Sequence, residues 1–221
     1  FKYKINCNKC GRKHHTLLHY AEFENMKPEQ RQIINKSANL VTKEYSSVTL
    51  LATAQIKIMS GLGDPIVLRA LIDQGSQRTS ISEEAAQILQ LPKQKINTEL
   101  IGLGNTVVGI SKATIEVAIR PRFSSNAVHY ANALVLKDLA SAHPDKTFKQ
   151  EIDKWSNYCL ADPSFNRSDR IDLVIGADLF NEIIQPGIIK RVKIVAQETT
   201  LGWILSGVLN LPVPSNKVVM A

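Results

Sequence analysis

Residues 66–72 read Ile-Val-Leu-Arg-Ala-Leu-Ile, an apolar run that stops abruptly on Asp73-Gln74-Gly75. A short apolar run bounded by Gly and polar residues predicts a buried strand. Polar residues follow Gly75 and lead into a helix, so the strand delivers the Asp73 carboxylate to a tight turn. Gly75, having no Cβ, lets the backbone there come close to a neighbour. Asp and Gly are also ordinary turn residues, so the tripeptide alone does not separate a site from a strand end.

The surrounding pattern builds a frame for that turn. Residues 47–58 are strand-like, with alternation near their end, and Gly61-Leu62-Gly63-Asp64-Pro65 is a turn. Ser82 caps a helix that carries Glu83 and Glu84 at its positive end and continues through Leu91 until Pro92. Residues 95–120 offer two strands around Gly102-Leu103-Gly104-Asn105, a hairpin signal, and 127–136 is another strand. An amphipathic helix is expected over 148–158, followed by a loop at Ala161-Asp162-Pro163. A second apolar strand, 171–175, then runs into Gly176 and a short helix, and 194–196 and 203–209 close the body with strands. Short strands with one or two helices predict a mainly β chain forming a small closed β-barrel.

Composition separates a head from this body. The net charge is +7, and residues 1–44 hold nine Lys/Arg against four Asp/Glu, so +5 of it lies there. A basic head on a near-neutral body predicts that the head, not the body, meets a polyanion. At 44% hydrophobic residues the chain can bury a real core, and no apolar run reaches the roughly 20 residues of a membrane span. No membrane partner is therefore expected. Three cysteines are too few for a disulfide scaffold, and the spacing of two of them favours a metal in a reducing, intracellular compartment.

Those two are Cys7 and Cys10, with Gly11 directly after them and His14, His15 and His19 close behind. Two thiolates and two imidazoles satisfy the tetrahedral preference of zinc in a loop too small to fold otherwise. Cys7, Cys10, His15 and His19 are the expected ligands of a structural zinc, with His14 the alternative to His15. Lys2, Lys4, Lys9, Arg12 and Lys13, interleaved with Phe1 and Tyr3, suit single-stranded RNA or DNA, with charge for phosphates and rings for bases. The expected organisation is a zinc knuckle over 1–20, a linker over 21–44, the β domain over 45–209 and a tail over 210–221. The basic start on Phe1 reads as a segment of a longer polyprotein.

Five stretches together resemble the Gag-Pol junction of BEL/Pao-type retrotransposons. They are the knuckle ending Lys13-His14-His15-Thr16-Leu17-Leu18-His19, the strand Arg69-Ala70-Leu71-Ile72-Asp73-Gln74-Gly75-Ser76-Gln77, the pair Leu160-Ala161-Asp162-Pro163 and Asp172-Leu173-Val174-Ile175-Gly176-Ala177-Asp178, and the tail 196–207. The resemblance implies a retropepsin-like aspartic protease barrel behind a nucleocapsid-type knuckle, working inside a virus-like particle in the cytoplasm. It implies Asp73, Gln74 and Gly75 as the catalytic loop, with the strand before Gly176 packed beneath it. The hairpin at Gly102, Leu103 and Gly104 becomes the flap over the substrate, a polyprotein segment. Retropepsins usually carry Ser or Thr where this chain has Gln74, a departure that bears on how two active-site loops brace each other.

Peptide hydrolysis of this kind uses two carboxylates sharing one proton around a water and no catalytic cofactor. The chain has one Asp-x-Gly, so a homodimer must supply the pair. Asp172 and Asp178 are expected to be structural, and Cys159 a buried hydrophobe. A reading of a different kind is a zinc-dependent nucleic-acid-binding or assembly module whose barrel has lost activity. Either way the purified chain should carry one zinc, released as the solution is acidified below about pH 6 and the ligands protonate. Elemental analysis giving well under one zinc per chain would contradict the ligand assignment.

Overall fold

The computed structural model describes residues 45–149 and 153–212. Cys7, Cys10, His14, His15 and His19, the basic set Lys2, Lys4, Lys9, Arg12 and Lys13, and the linker over 21–44 lie outside the described residues.

Ala54, Ile56 and Ile58 bury alternate side chains of strand β2 (Thr53–Met59), which pairs antiparallel with β3 (Pro65–Ile72). Strand β3 takes β8 (Leu173–Ile175) as its parallel neighbour, and β8 in turn pairs with β4 (Ser80–Ser82). Strand β4 runs parallel to β7 (His129–Leu136), which pairs with β6 (Val107–Pro121). The pairs Ile56↔Pro121 and Lys57↔Arg120 bring β6 back to β2. Six strands thus close on themselves around an aliphatic core that includes Ile56, Ile81, Ile115, Ile119, Leu173 and Ile175. Strand β5 (Lys93–Ile101) adds to β6 as the outer arm of a hairpin. Helix α1 (Glu83–Leu89) is capped by the Ser82 side chain, which accepts from the Ala85 N–H, and Gln90 ends it in the left-handed region at φ 51°.

A second, four-stranded sheet has the order β1 (Tyr45–Leu50), β11 (Gly202–Pro212), β10 (Ile194–Thr199), β9 (Ile184–Arg191). Helix α2 (Ala177–Ile183) joins β8 to this sheet. Its core is shared with the long connection between β7 and β8, whose Phe148, Trp155, Leu160 and Phe165 pack with Val48, Leu50, Ile194 and Leu205.

The expectation of a mainly β chain with one or two helices therefore holds, two α-helices being present among the described residues, while several elements differ. Residues 47–58 are two strands in two sheets, divided at Leu51-Ala52, because Val48 and Leu50 enter the second core while Ala54 and Ile56 enter the first. No α-helix spans 148–158 among the described residues. The Phe148 N–H donates to the Asn166 carbonyl, and only a 3-10 turn at Asp153–Trp155 is present. Strand β9 was not expected from the sequence, and β11 runs to Pro212, past the expected boundary at 209.

The connection is pinned to the barrel by Arg69, buried on the outward side of β3. Its Nε meets Asp162 Oδ2 at 2.7 Å, and Thr53 Oγ1 donates to the same oxygen at 2.8 Å. The remaining guanidinium N–H groups donate to carbonyls of His143, Ser164, Arg167 and Asp169. Removing one partner of a buried, hydrogen-bonded ion pair costs about 3–5 kcal/mol. A further tie is the Leu51 N–H, which donates to His143 Nε2 at 2.9 Å and so requires that nitrogen to be unprotonated.

Burial, and then the positive charge of Arg69, hold His143 below its ordinary value of 6.5, against smaller upward pulls from Asp145 and Asp162. The unfolded chain consequently takes up this proton first as pH falls through 6.5, and stability drops from there toward the folded value. Asp172, raised by burial above 3.8, acts in the opposite sense in the window above 3.8. His143→Gln keeps an acceptor for Leu51 without titrating. Its melting temperature should fall less than the parent's between about pH 7 and pH 5.5; equal falls would exclude His143 as an acid-sensitive tie.

Candidate active site

Strand β3 is buried along both faces from Leu68 to Ile72, with Ala70 and Ile72 in the barrel core and Leu71 against Ile171 and Val174. Its parallel neighbour β8 stops at the same level, Ile72 opposite Ile175. Since β8 lies between β3 and β4, the chain from Asp73 to Thr79 must pass over the end of β8. Gly176 makes the crossing possible: a Cβ there would lie 2.6 Å from the Arg78 carbonyl carbon and 2.9 Å from the Ser76 oxygen. The loop is then bonded down along its length. Asp73 N–H donates to the Ile175 carbonyl at 3.0 Å, and Ala177 N–H donates to the Ser76 carbonyl at 2.8 Å.

Thr79 anchors the far end. It is fully buried; its Oγ1 accepts from the Gly176 N–H at 3.2 Å and donates to Asp178 Oδ1 at 2.7 Å. Its own N–H reaches the same carboxylate at 2.9 Å, and Arg78 Nε lies 3.4 Å from Asp178 Oδ2. Asp178 is thus a structural tie, as its position after Gly176 suggests. Asp172 is another: it accepts from the Arg69 N–H at 2.9 Å and faces Arg170 Nε at 2.9 Å.

Asp73 itself is half-buried. Its Oδ1 accepts from the Gly75 N–H at 2.9 Å, and a Cβ on Gly75 would sit 3.2 Å from that oxygen. Oδ2 has no protein partner among the described residues. The carboxylate opens on a cleft of about 470 Å³ that Gln74 and Gly75 also line. Its walls are Leu50, Leu51 and Ala52 at the crossing between the sheets, Phe180 of α2, and Val195, Gln197, Ile204 and Ser206 of β10 and β11. Asp73 is the one titratable side chain among these lining residues. A lone carboxylate in a largely apolar cleft can accept a proton from a water, but no acid stands opposite it among the described residues.

The other expected residues fall elsewhere. Gly102, Leu103 and Gly104 form the tip of the β5–β6 hairpin, closed by a Gly102 N–H bond to the Thr106 carbonyl at 2.8 Å. None of the three lines the Asp73 cleft. Cys159 is exposed rather than buried, because its segment bonds edge-on to β11, the Trp203 N–H donating to the Cys159 carbonyl. Residues that sequence reasoning passed over are Thr79, hidden in a polar run, and the second-sheet wall. No protein-family model matches the chain, and comparison with curated proteins gives no match.

Thr79→Val keeps the volume and removes the hydroxyl that links Gly176 to Asp178. It should lower unfolding free energy by about 1–3 kcal/mol, read from denaturant titration. An unchanged midpoint would show that the anchor does not hold the loop.

Proposed function

We propose that the chain is an aspartic endopeptidase of a retrotransposon polyprotein, with a retropepsin-like barrel that works as a homodimer, fused to a zinc knuckle that binds nucleic acid. The observation that carries the reading is Asp73: a half-buried carboxylate with one oxygen free of protein partners among the described residues, set on a clamped loop as the sole titratable group among the residues lining a cleft. The Gly176 crossing supports it as well, since it fixes where the carboxylate sits.

In this reading two copies meet about a two-fold axis and bring their Asp73 carboxylates together. Like charges so close cannot both ionise, so the pair holds one proton, as in aspartic proteases generally. The ionised carboxylate takes a proton from water as the oxygen attacks the peptide carbonyl, and the protonated one gives its proton to the carbonyl oxygen. Collapse of the tetrahedral intermediate then passes a proton to the leaving nitrogen and restores the shared proton. The apolar walls from Leu50, Phe180 and Ile204 suit apolar substrate side chains and keep bulk water from the reacting bond. Gln74 is exposed at the cleft, where its amide can bond across the axis in place of the usual hydroxyl. The β5–β6 hairpin is the proposed flap, and the knuckle's Cys7, Cys10, His15 and His19 the zinc ligands.

The second reading, a non-catalytic nucleic-acid-binding or assembly module, is favoured by Gln74 and by the single carboxylate of the cleft. A cleavage assay on a polyprotein fragment spanning residues 20–50 and beyond separates the two. The parent should cut most rapidly at about pH 4–6, where the pair holds one proton, and its specific activity should rise with protein concentration. Asp73→Asn should lose several orders of magnitude in rate while remaining folded. Equal cutting by both proteins, or none by either at high concentration, would favour the module.

A further inference from the structure

Strand β10 sends alternate side chains to opposite sides of its sheet. Ile194 and Ala196 enter the second core, while Val195 and Gln197 line the Asp73 cleft together with Ile204 and Ser206 of β11. Across the two strands Val195 lies opposite Ser206, and Gln197 opposite Ile204. Gln197 and Ser206 are therefore diagonal neighbours on one face, with Cα atoms about 7–8 Å apart.

Each of these two polar side chains keeps an unused atom. Gln197 Nε2 donates to the Gln185 carbonyl at 2.8 Å, to that of Gly187 at 3.0 Å and to that of Glu198 at 3.4 Å. Three carbonyl oxygens around one atom fix it as the amide nitrogen, so the amide cannot flip. Gln197 Oε1 is left with no protein partner among the described residues, and the Ser206 hydroxyl has none either. Every buried side-chain nitrogen or oxygen among those residues is bonded, so both unpaired oxygens are open to solvent. An acceptor of fixed orientation and a hydroxyl free to donate thus share a wall that Val195 and Ile204 make otherwise apolar.

We propose that Gln197 and Ser206 form a carboxamide subsite of the cleft, which takes an Asn or Gln side chain of the bound peptide. Its –NH2 donates to Gln197 Oε1, and its carbonyl accepts from the Ser206 hydroxyl. That the occupant is a peptide rests on the endopeptidase reading. A Leu side chain in the same place would strip water from both protein oxygens and bond neither, which is how such a site separates side chains of similar shape. An ionised Asp or Glu would bring a second acceptor to Gln197 Oε1 with no proton between them.

The test reads binding rather than cleavage. A labelled apolar decapeptide, with Leu replaced by Asn at each position in turn, is titrated by fluorescence anisotropy against the full chain carrying Asp73→Asn. At one position Asn should strengthen binding about tenfold over Leu. Ser206→Ala removes the donor, and Gln197→Lys keeps N–H groups for the β9 carbonyls while removing the acceptor. Each should lower the Asn-to-Leu ratio several-fold and leave the affinity for the all-Leu peptide unchanged. Binding of no peptide, equal binding of Asn and Leu peptides at every position, or a ratio that survives both substitutions would overturn the proposal. Equal binding would leave Gln197 Oε1 to the peptide backbone, whatever the side chain. Because no bond is cut in this assay, its outcome is independent of whether the parent cleaves the polyprotein fragment.

Discussion

The Asp73 loop has to cross the end of a strand that is not its neighbour in sequence, and the close approach at Gly176 is what permits it. Strand β8 arrives from far along the chain and inserts between β3 and β4. Once it is there, the backbone from Ser76 to Arg78 rests where a side chain on residue 176 would stand. Any larger residue would have to lift the loop, and with it the carboxylate. The position of Asp73 is therefore set by backbone contact and backbone hydrogen bonds, together with the Thr79 and Asp178 side chains that anchor the far end of the loop.

The same logic explains the acidic residues near the loop. Asp178 spends its oxygens on the Thr79 N–H and hydroxyl, Asp172 on the Arg69 N–H and Arg170, and Asp162 on Arg69, Thr53 and the Ser164 N–H. Among the described residues the Asp73 carboxylate bonds only the Gly75 N–H. Three carboxylates are thus committed to holding segments together, while Asp73 keeps one oxygen at a cleft with no protein partner among the described residues.

Much of this was legible in the residues. The apolar run into Asp73, the Ser82 cap with its acidic first turn, the hairpin around Gly102–Gly104 and the apolar strand into Gly176 each rely on local signals, and each is present. What escaped depends on partners distant in sequence. The break at Leu51-Ala52 exists because two cores compete for one apolar stretch. The amphipathic pattern over 148–158 fits a helix equally well, but Asn166 takes the backbone of Phe148 instead. Strand β9, with Pro186 and Gly187 inside it, carries weak strand signals and forms because β10 pairs with it. The cleft wall of Val195 and Ile204 was invisible for the same reason.

The pairing of Tyr45 with Pro212 also imposes an order in time. A chain made from its N-terminus exposes β1 early and must wait for β11 before that strand has a partner. The last strand of the barrel, β8, lies before β10 and β11 in the chain, so it is synthesised while β1 still lacks its partner. Pairings between remote segments are also the slowest to form. The Val195–Ile204 wall facing Asp73 is therefore synthesised after both the Asp73 loop and the strand it crosses.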